Sequence, residues 1–218
     1  FVVIADVLSR FTINGFNTLM ILDRNGCKPF DEHRNGLTLG EGAAFIMLES
    51  ETSSLQNNRV IHGEIKGWAN ANDAFHQTAS SPEGEGAYKA MSNALKMSGL
   101  SKSDINYINA HGTGTINNDL SEGKAIETLF GTKIPKVSST KPYTGHTLGA
   151  AGVIEAVYSI LAIKNGVVFP NMNFDQQMKE LPFSPVERIL KKQKVHNVLT
   201  NSFGFGGNNS TIIMSMVS

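Results

Sequence analysis

The sequence predicts an α/β fold, a mostly parallel mixed sheet covered by helices. From Val60 onward, apolar patterns alternate in the order strand, helix, strand, helix, strand, helix, strand, strand, and such alternation implies crossover connections and a largely parallel sheet. The last two strands are joined only by "FGFGGNN", too short for a crossover, so that pair is antiparallel. Glycines stand where helical patterns stop, at Gly99, Gly131 and Gly166, as a left-handed helix end favours.

The elements follow in order. "FVVIAD" (1–6) and "GAAFIMLES" (42–50) are short continuous apolar runs bounded by turn residues, which predicts buried strands. Between them a helical patch runs from about Phe11 to Leu22, followed by the turn-rich "DRNGCKPFDEHRNG". "VIHGEIKGWANA" is a mixed strand, and "DAFHQTASSPEGEG" is a loop. "GAYKAMSNALKMSGL" places Ala87, Met91, Ala94, Leu95 and Met97 on roughly one helical face. "INYINA" is a strand leading into His111. Asp119 and Glu122, three apart, predict a capping box with Asp119 as N-cap of a helix ending near Gly131. "KVSST" is a strand, and "KPYTGHT" leads into an apolar helix over 148–164. "HNVLTNS" and "STIIMSM" are the closing strands.

The 218 residues, 40% of them hydrophobic, suffice for one large domain or two small ones. Nineteen basic and nineteen acidic residues balance, which argues against a nucleic-acid scaffold or a basic membrane-surface helix. The longest apolar stretch, Leu148 to Ile163, contains Glu155 and is shorter than a membrane span needs. The single cysteine, Cys27, excludes an internal disulfide and fits a reducing, cytoplasmic compartment. No secretory leader is visible, and an apolar strand as first element suggests a start inside a larger fold.

In a parallel α/β sheet, ligands sit beyond the carboxyl ends of the strands. Three small, polar loops leave strands at that edge. They carry His111 with Thr113 and Thr115, then Lys141 with His146, then Phe203 and Phe205. Other chemistries find no support. A GxxxxGK[ST] loop, a GxGxxG fingerprint after a strand and a GxSxG elbow are absent, and one remote cysteine offers no zinc site.

"NAHGTGT", "SSTKPYTGHTLGAAGVIEA" and "NSFGFGGNNS" resemble the three C-terminal motifs of the elongating β-ketoacyl-acyl carrier protein synthases, and "KPFDEHRNGLTLGEGAAFIMLE" resembles the segment between that family's two halves. The resemblance implies a thiolase-like fold. Residues 1–58 would be the last strands of a truncated first half plus the inter-half loop, and 59–218 the complete second half. It implies a decarboxylative Claisen condensation, in which malonyl-acyl carrier protein loses carbon dioxide and the carbanion attacks an acyl thioester. His111 and His146 would be paired donors to the thioester oxygen, Lys141 would order them, and Glu155 would be its buried partner. Thr113, Thr115 and, with them, Thr78 would contact the pantetheine arm. Phe205, with Phe203 beside it, would gate the acyl pocket.

Neither a metal nor a redox cofactor is implied. The implied partners are acyl carrier protein and a second copy in a homodimer. The family's nucleophilic cysteine, in an "ACSS"-like motif before the first strand, has no counterpart here, and Cys27 in "NGCKPFD" matches no nucleophile. A catalytically silent partner subunit, like a chain-length factor, is the alternative. Thiolases need a second cysteine in the glycine loop, and initiating synthases pair histidine with asparagine, so neither fits. Fatty-acid and polyketide pathways stay equally open.

Overall fold

The computed structural model describes residues 1–217. Strand β1 (Val2–Asp6) is followed by helix α1 (Arg10–Thr18), strand β2 (Gly42–Ile46) and the short helix α2 (Glu51–Gln56). Then come β3 (Glu64–Asn72), α3 (Glu85–Ser98), β4 (Tyr107–Asn109), α4 (Ile116–Phe130) and β5 (Lys136–Ser138). The chain ends with the single turn α5 (Lys141–Thr144), α6 (Ala151–Asn165), β6 (Asn197–Gly204) and β7 (Asn208–Ser215).

Two sheets result. β1 and β2 form an antiparallel pair, and the other strands form one sheet in the order β3-β7-β6-β4-β5. β4 pairs in parallel with β5 and β6, while β7 runs antiparallel to both β6 and β3. Four of the five strands therefore point the same way, with β7 alone reversed.

The central strands β4, β6 and β7 are buried on both faces, as alternation along them shows, while the edge strand β3 is largely exposed. Ile108, Leu199 and Ile213 join Met91, Ala94, Ile126 and Leu129 in one apolar cluster, beneath α3 and α4. Their neighbours Tyr107, Val198 and Met214 join Ala156 and Ile163 in a second, beneath α6. Helix α6 also packs against β1 and β2, so it lies between the two sheets. That position accounts for its apolar composition: with the turn before it, it is long and apolar enough to cross a membrane.

Several elements depart from expectation. β1 and β2 are not buried strands. Only one face, with Ile4, Ala44 and Ile46, turns toward α6, and Phe45 on the other face is 67% exposed. An apolar run signals apolar surroundings on both faces, and among the described residues only one face has them. Met97 is 56% exposed: at 3.6 residues per turn it lies about 120° round the helix from Met91, at the edge of the buried stripe. The Asp119 capping box is not formed. α4 starts a turn earlier, with Thr115 as N-cap in extended conformation, and both carboxylates lie inside the helix. α2, unanticipated, is capped by the Ser50 side chain accepting the Ser53 N–H. The helix ends hold, with Gly99 and Gly166 left-handed at φ 70° and 58°.

Ile126 is fully buried between α4 and the sheet. Ile126→Ala is expected to cost about 2–5 kcal/mol, the usual cost of such a cavity, read as a lowered urea midpoint with unchanged slope.

Candidate active site

The carboxyl ends of β4, β5 and β6 are neighbours because those strands are adjacent and parallel. Each releases one of the three loops, so residues distant in sequence meet there. His111 follows β4, Lys141 follows β5 and Phe203 lies at the end of β6. His146 reaches the same place through the turn after α5. Its backbone is held from outside, because His146 N donates to Thr38 O at 2.7 Å and Gly40 N donates to His146 O at 3.1 Å.

The two imidazoles meet edge to face, with centroids 5.2 Å apart and planes at 83°. Phe203 backs His111 at 5.6 Å. Beneath them lies the buried ammonium of Lys141. It donates to the His111 carbonyl and to Glu155 Oε1, and stands 3.3 Å from His111 Nδ1. An ammonium has no lone pair to offer, so His111 Nδ1 accepts and its ring proton sits on Nε2. His146 is fixed likewise. Leu148 N donates to His146 Nδ1 at 3.3 Å, from a residue in the left-handed region at φ 48°, a backbone cost that aims the N–H back at the ring. Both neutral rings thus present Nε2–H.

Electrostatics keep them neutral. Burial first, then the Lys141 charge and His146, hold the His111 pKa well below the usual imidazole range. Burial and Lys141 push His146 down to about 3. Burial raises the Glu155 carboxyl, and the Lys141 contact opposes that shift.

A pair of buried carboxylates supports the loop after β4. Glu122 accepts from His111 N at 2.9 Å, Gly112 N at 2.8 Å and Asn201 Nδ2 at 2.9 Å. Asp119 accepts from Thr113 N at 3.0 Å, from Gly114 N and, at 2.8 Å, from Phe30 N. Burial raises both, Glu122 to about 7. The spacing of three that suggested a capping box is what places both on one helical face. Their role at this loop is what the sequence reading missed. The signal was there, since two acids three apart in an otherwise apolar helix face need donors.

A cavity of about 350 Å³ opens above His111. Thr78, Thr113, Thr115, Phe203 and Phe205 line it with His111, as do Met20 and Ile21, which sequence reasoning had not marked. Thr113 and Thr115 share a hydroxyl hydrogen bond of 2.9 Å. Phe203 is mostly buried against the core, whereas Phe205 is 49% exposed. Lys141 and Glu155 are buried behind His111, while His146 is partly exposed and lies beside the cavity without lining it. Cys27 is buried, and burial raises its thiol pKa.

A thiolase-like α/β fold carrying a paired-histidine site at the strand ends is the class these observations define. Residues 62–175 match the β-ketoacyl synthase C-terminal domain and residues 3–54 match the β-ketoacyl synthase N-terminal domain. The chain belongs to the β-ketoacyl synthase family. It is 41% identical over 189 residues to 3-oxoacyl-[acyl-carrier-protein] synthase 2 of Rhizobium meliloti (strain 1021), covering 86% of this chain and 45% of the relative. It is 39% identical over 213 residues to the synthase 2 of Staphylococcus aureus (strain COL), covering 94% and 51%. The chain thus spans about half the length of the curated relatives it matches.

Among solved structures, the ishigamide ketosynthase/chain length factor superposes with TM-score 0.94 at 33% identity, over 98% of this chain and 53% of that one. A type II polyketide ketosynthase in complex with its acyl-carrier protein and bound to a hexaketide superposes with TM-score 0.93 at 30% identity, over 98% and 55%.

Lys141→Met is expected to destabilise the full-length protein by about 3–5 kcal/mol, because it strands the buried Glu155 charge. Lys141→Met with Glu155→Leu recovers most of that loss, as urea unfolding of both variants would show. Gly40→Ala is expected to be strongly destabilising, because its Cβ would fall on the backbone oxygen of Thr144 in the turn that carries His146. A lowered urea midpoint is the measurement.

Proposed function

We propose that this chain supplies the two-histidine half of an elongating β-ketoacyl-acyl carrier protein synthase. The reaction is decarboxylative Claisen condensation. The bond from the malonyl methylene to its carboxylate breaks, carbon dioxide leaves, and the electron pair becomes an enolate with its charge on the thioester oxygen. The enolate carbon then forms a bond to the acyl carbonyl carbon, and the thiolate that held the acyl group leaves.

One observation carries the reading: two neutral rings at 5.2 Å, each with Nδ1 occupied by a donor. Each ring then keeps its Nε2–H to donate, and in this reading both donate to one thioester oxygen. Preorganised donors of this kind stabilise a developing oxyanion, each worth roughly 3–4 kcal/mol of barrier. Lys141, paired with Glu155, holds the His111 ring and Leu148 N holds that of His146, while Thr113, Thr115 and Thr78 at the cavity wall suit the amides of a pantetheine arm. Phe205 gates the acyl side, with Phe203 packed behind His111.

The nucleophile we assign to a cysteine outside this sequence. Cys27 does not suit the role, since it is buried with a raised pKa, whereas a reactive thiol needs the opposite. Acyl carrier protein, loaded with acyl or malonyl groups, is the proposed partner, as in the polyketide ketosynthase complex that superposes on this chain. A homodimer and a cytoplasmic location complete the reading. A silent chain-length-factor role is the weaker alternative, because such a subunit has no use for two correctly protonated histidines above a buried lysine.

Malonyl decarboxylation by the full-length protein tests this. His111→Ala and His146→Ala are each expected to lower it by about 10²–10³-fold, the usual effect of losing one oxyanion donor. Undiminished turnover in either removes that ring from the role. The pH profile is a second test. A lowered histidine pKa means the neutral form persists as pH falls, so the rate should show no inflection at the ordinary imidazole value of about 6.5. Glu122, raised to about 7 beneath the same loop, is the other group that could titrate there, so an inflection that persists in Glu122→Gln contradicts the neutral pair.

A further inference from the structure

Phe30 stands in the left-handed region at φ 59° and is buried. A bulky side chain in that region is an outlier, kept only where the surrounding contacts over-determine it. Two contacts do so here. The Phe30 N–H donates to Asp119 Oδ2 at 2.8 Å, and the ring edge lies against Gly112, where a Cβ would meet Phe30 Cε2 at 3.0 Å. Rotating φ toward the ordinary region would swing the ring away while the N–H stayed on Asp119. The preceding residue is pinned as well. Asn171 Nδ2 donates to Pro29 O at 2.8 Å, and Asn171 Oδ1 accepts from Ser139 N at 2.9 Å. Ser139 Oγ in turn donates to Gly112 O at 2.7 Å. The side of Gly112 that a side chain would occupy is thus filled by Ser139 and the Phe30 ring, one residue beyond His111.

We propose that Phe30 is a positioning residue for His111: its ring is the stop against which the loop after β4 rests, and its strained backbone lets ring and N–H act on that loop together. The proposal rests on the reading of His111 as an oxyanion donor. The loop's other supports come from α4. Glu122 and Asp119 accept the N–H groups of residues 111–114 and draw the loop toward the helix, a pull that needs a limit. The Phe30 ring, backed by Phe183 at 6.1 Å, sets that limit at Gly112. The same segment then follows the loop into α4, where Gly36 N donates to Gly114 O at 3.0 Å and Arg34 Nη2 to Ile116 O at 2.9 Å. Phe30 lies in the stretch matching the N-terminal domain and His111 in the stretch matching the C-terminal domain, so one half of the fold fixes the height of a ring carried by the other. A reacting group displaced by about 1 Å can lose up to about 10²-fold in rate, which gives such a stop a use that core packing alone does not.

The test uses the full-length protein and compares two rates. One is decarboxylation of malonyl-acyl carrier protein, which calls on the histidine pair. The other is acyl transfer from acyl carrier protein, in which no malonyl enolate forms. Phe30→Leu keeps the backbone and an apolar filling but removes the flat ring. Its ratio of decarboxylation to acyl transfer should fall about tenfold, while Phe30→Tyr, which keeps the ring, should hold the ratio of the unaltered protein. Ile213→Val, a change in the same apolar cluster but on β7, should hold it too. A ratio unchanged in Phe30→Leu, with both rates falling together, assigns Phe30 a purely structural role and overturns the proposal. Equal falls in Phe30→Leu and Phe30→Tyr, or in Phe30→Leu and Ile213→Val, overturn it as well. His111→Ala tests the reading beneath, and should lower the ratio about 10²–10³-fold. If it does not, the oxyanion role itself fails. A fall in His111→Ala with none in Phe30→Leu sinks only the positioning role.

Discussion

The site depends on one buried positive charge. Lys141 sits under the histidine pair with almost no exposure, and an ammonium there would be prohibitively costly without a counter-charge. Glu155 supplies it from α6, and two further bonds, to the carbonyl and the ring of His111, use the remaining donors. The same bonds decide which nitrogen of His111 keeps its proton and make protonation of either ring unfavourable. Helix α6 must be apolar to lie between two sheets, yet it must carry one carboxylate on the side facing Lys141. A single acid in an apolar run is the trace of that double demand.

The loop after β4 is held by a different device. A turn in which Gly112 and Gly114 both have positive φ cannot continue a strand ladder, and its N–H groups would be orphaned in the interior. Glu122 and Asp119 collect four of them. The carboxylates tolerate complete burial because each receives several N–H donors, and the loop tolerates its shape because the carboxylates are there. Glycine is required on steric grounds too: a Cβ at Gly112 would lie 2.6 Å from Ser139 Cβ, on the loop after β5. Close approach of the two crossovers is what lets one lysine serve both.

Much of this was legible in the sequence, for physical reasons that differ between elements. The crossover helices and the closing hairpin declare themselves because burial on both sheet faces imposes strong periodicity. His111, His146 and Lys141 could be placed near one another because parallel strands bring their carboxyl ends together, whereas Glu155 as the partner of Lys141 came only from the family resemblance. What was not legible depended on tertiary partners. Asp119 and Glu122 have the spacing of a cap, and only the actual start of α4, one turn earlier, shows that they face backward onto the loop. The burial of β1 and β2 could not be read, since an apolar run reports what a strand prefers to touch and not what is present. The bond from Phe30 N to Asp119 joins residues 89 positions apart, and no local pattern announces such a pair.

The protonation state of the rings has a consequence for the proposed chemistry. An imidazolium would stabilise an enolate strongly, but it is also a competent acid and would deliver its proton to the carbanion, giving an acetyl thioester in place of a new carbon–carbon bond. A neutral imidazole N–H is a far weaker acid. It donates a hydrogen bond to the oxygen while leaving the carbon nucleophilic, the same economy by which a neutral histidine polarises a carbonyl in other enzymes. Two such donors in place of one charged donor recover the stabilisation without the proton transfer. The low pKa of His146 follows from burial and the neighbouring Lys141 charge. In the proposed reaction it is the condition that separates condensation from simple decarboxylation, and the lysine that enforces it is necessarily placed behind the rings, out of reach of the substrate.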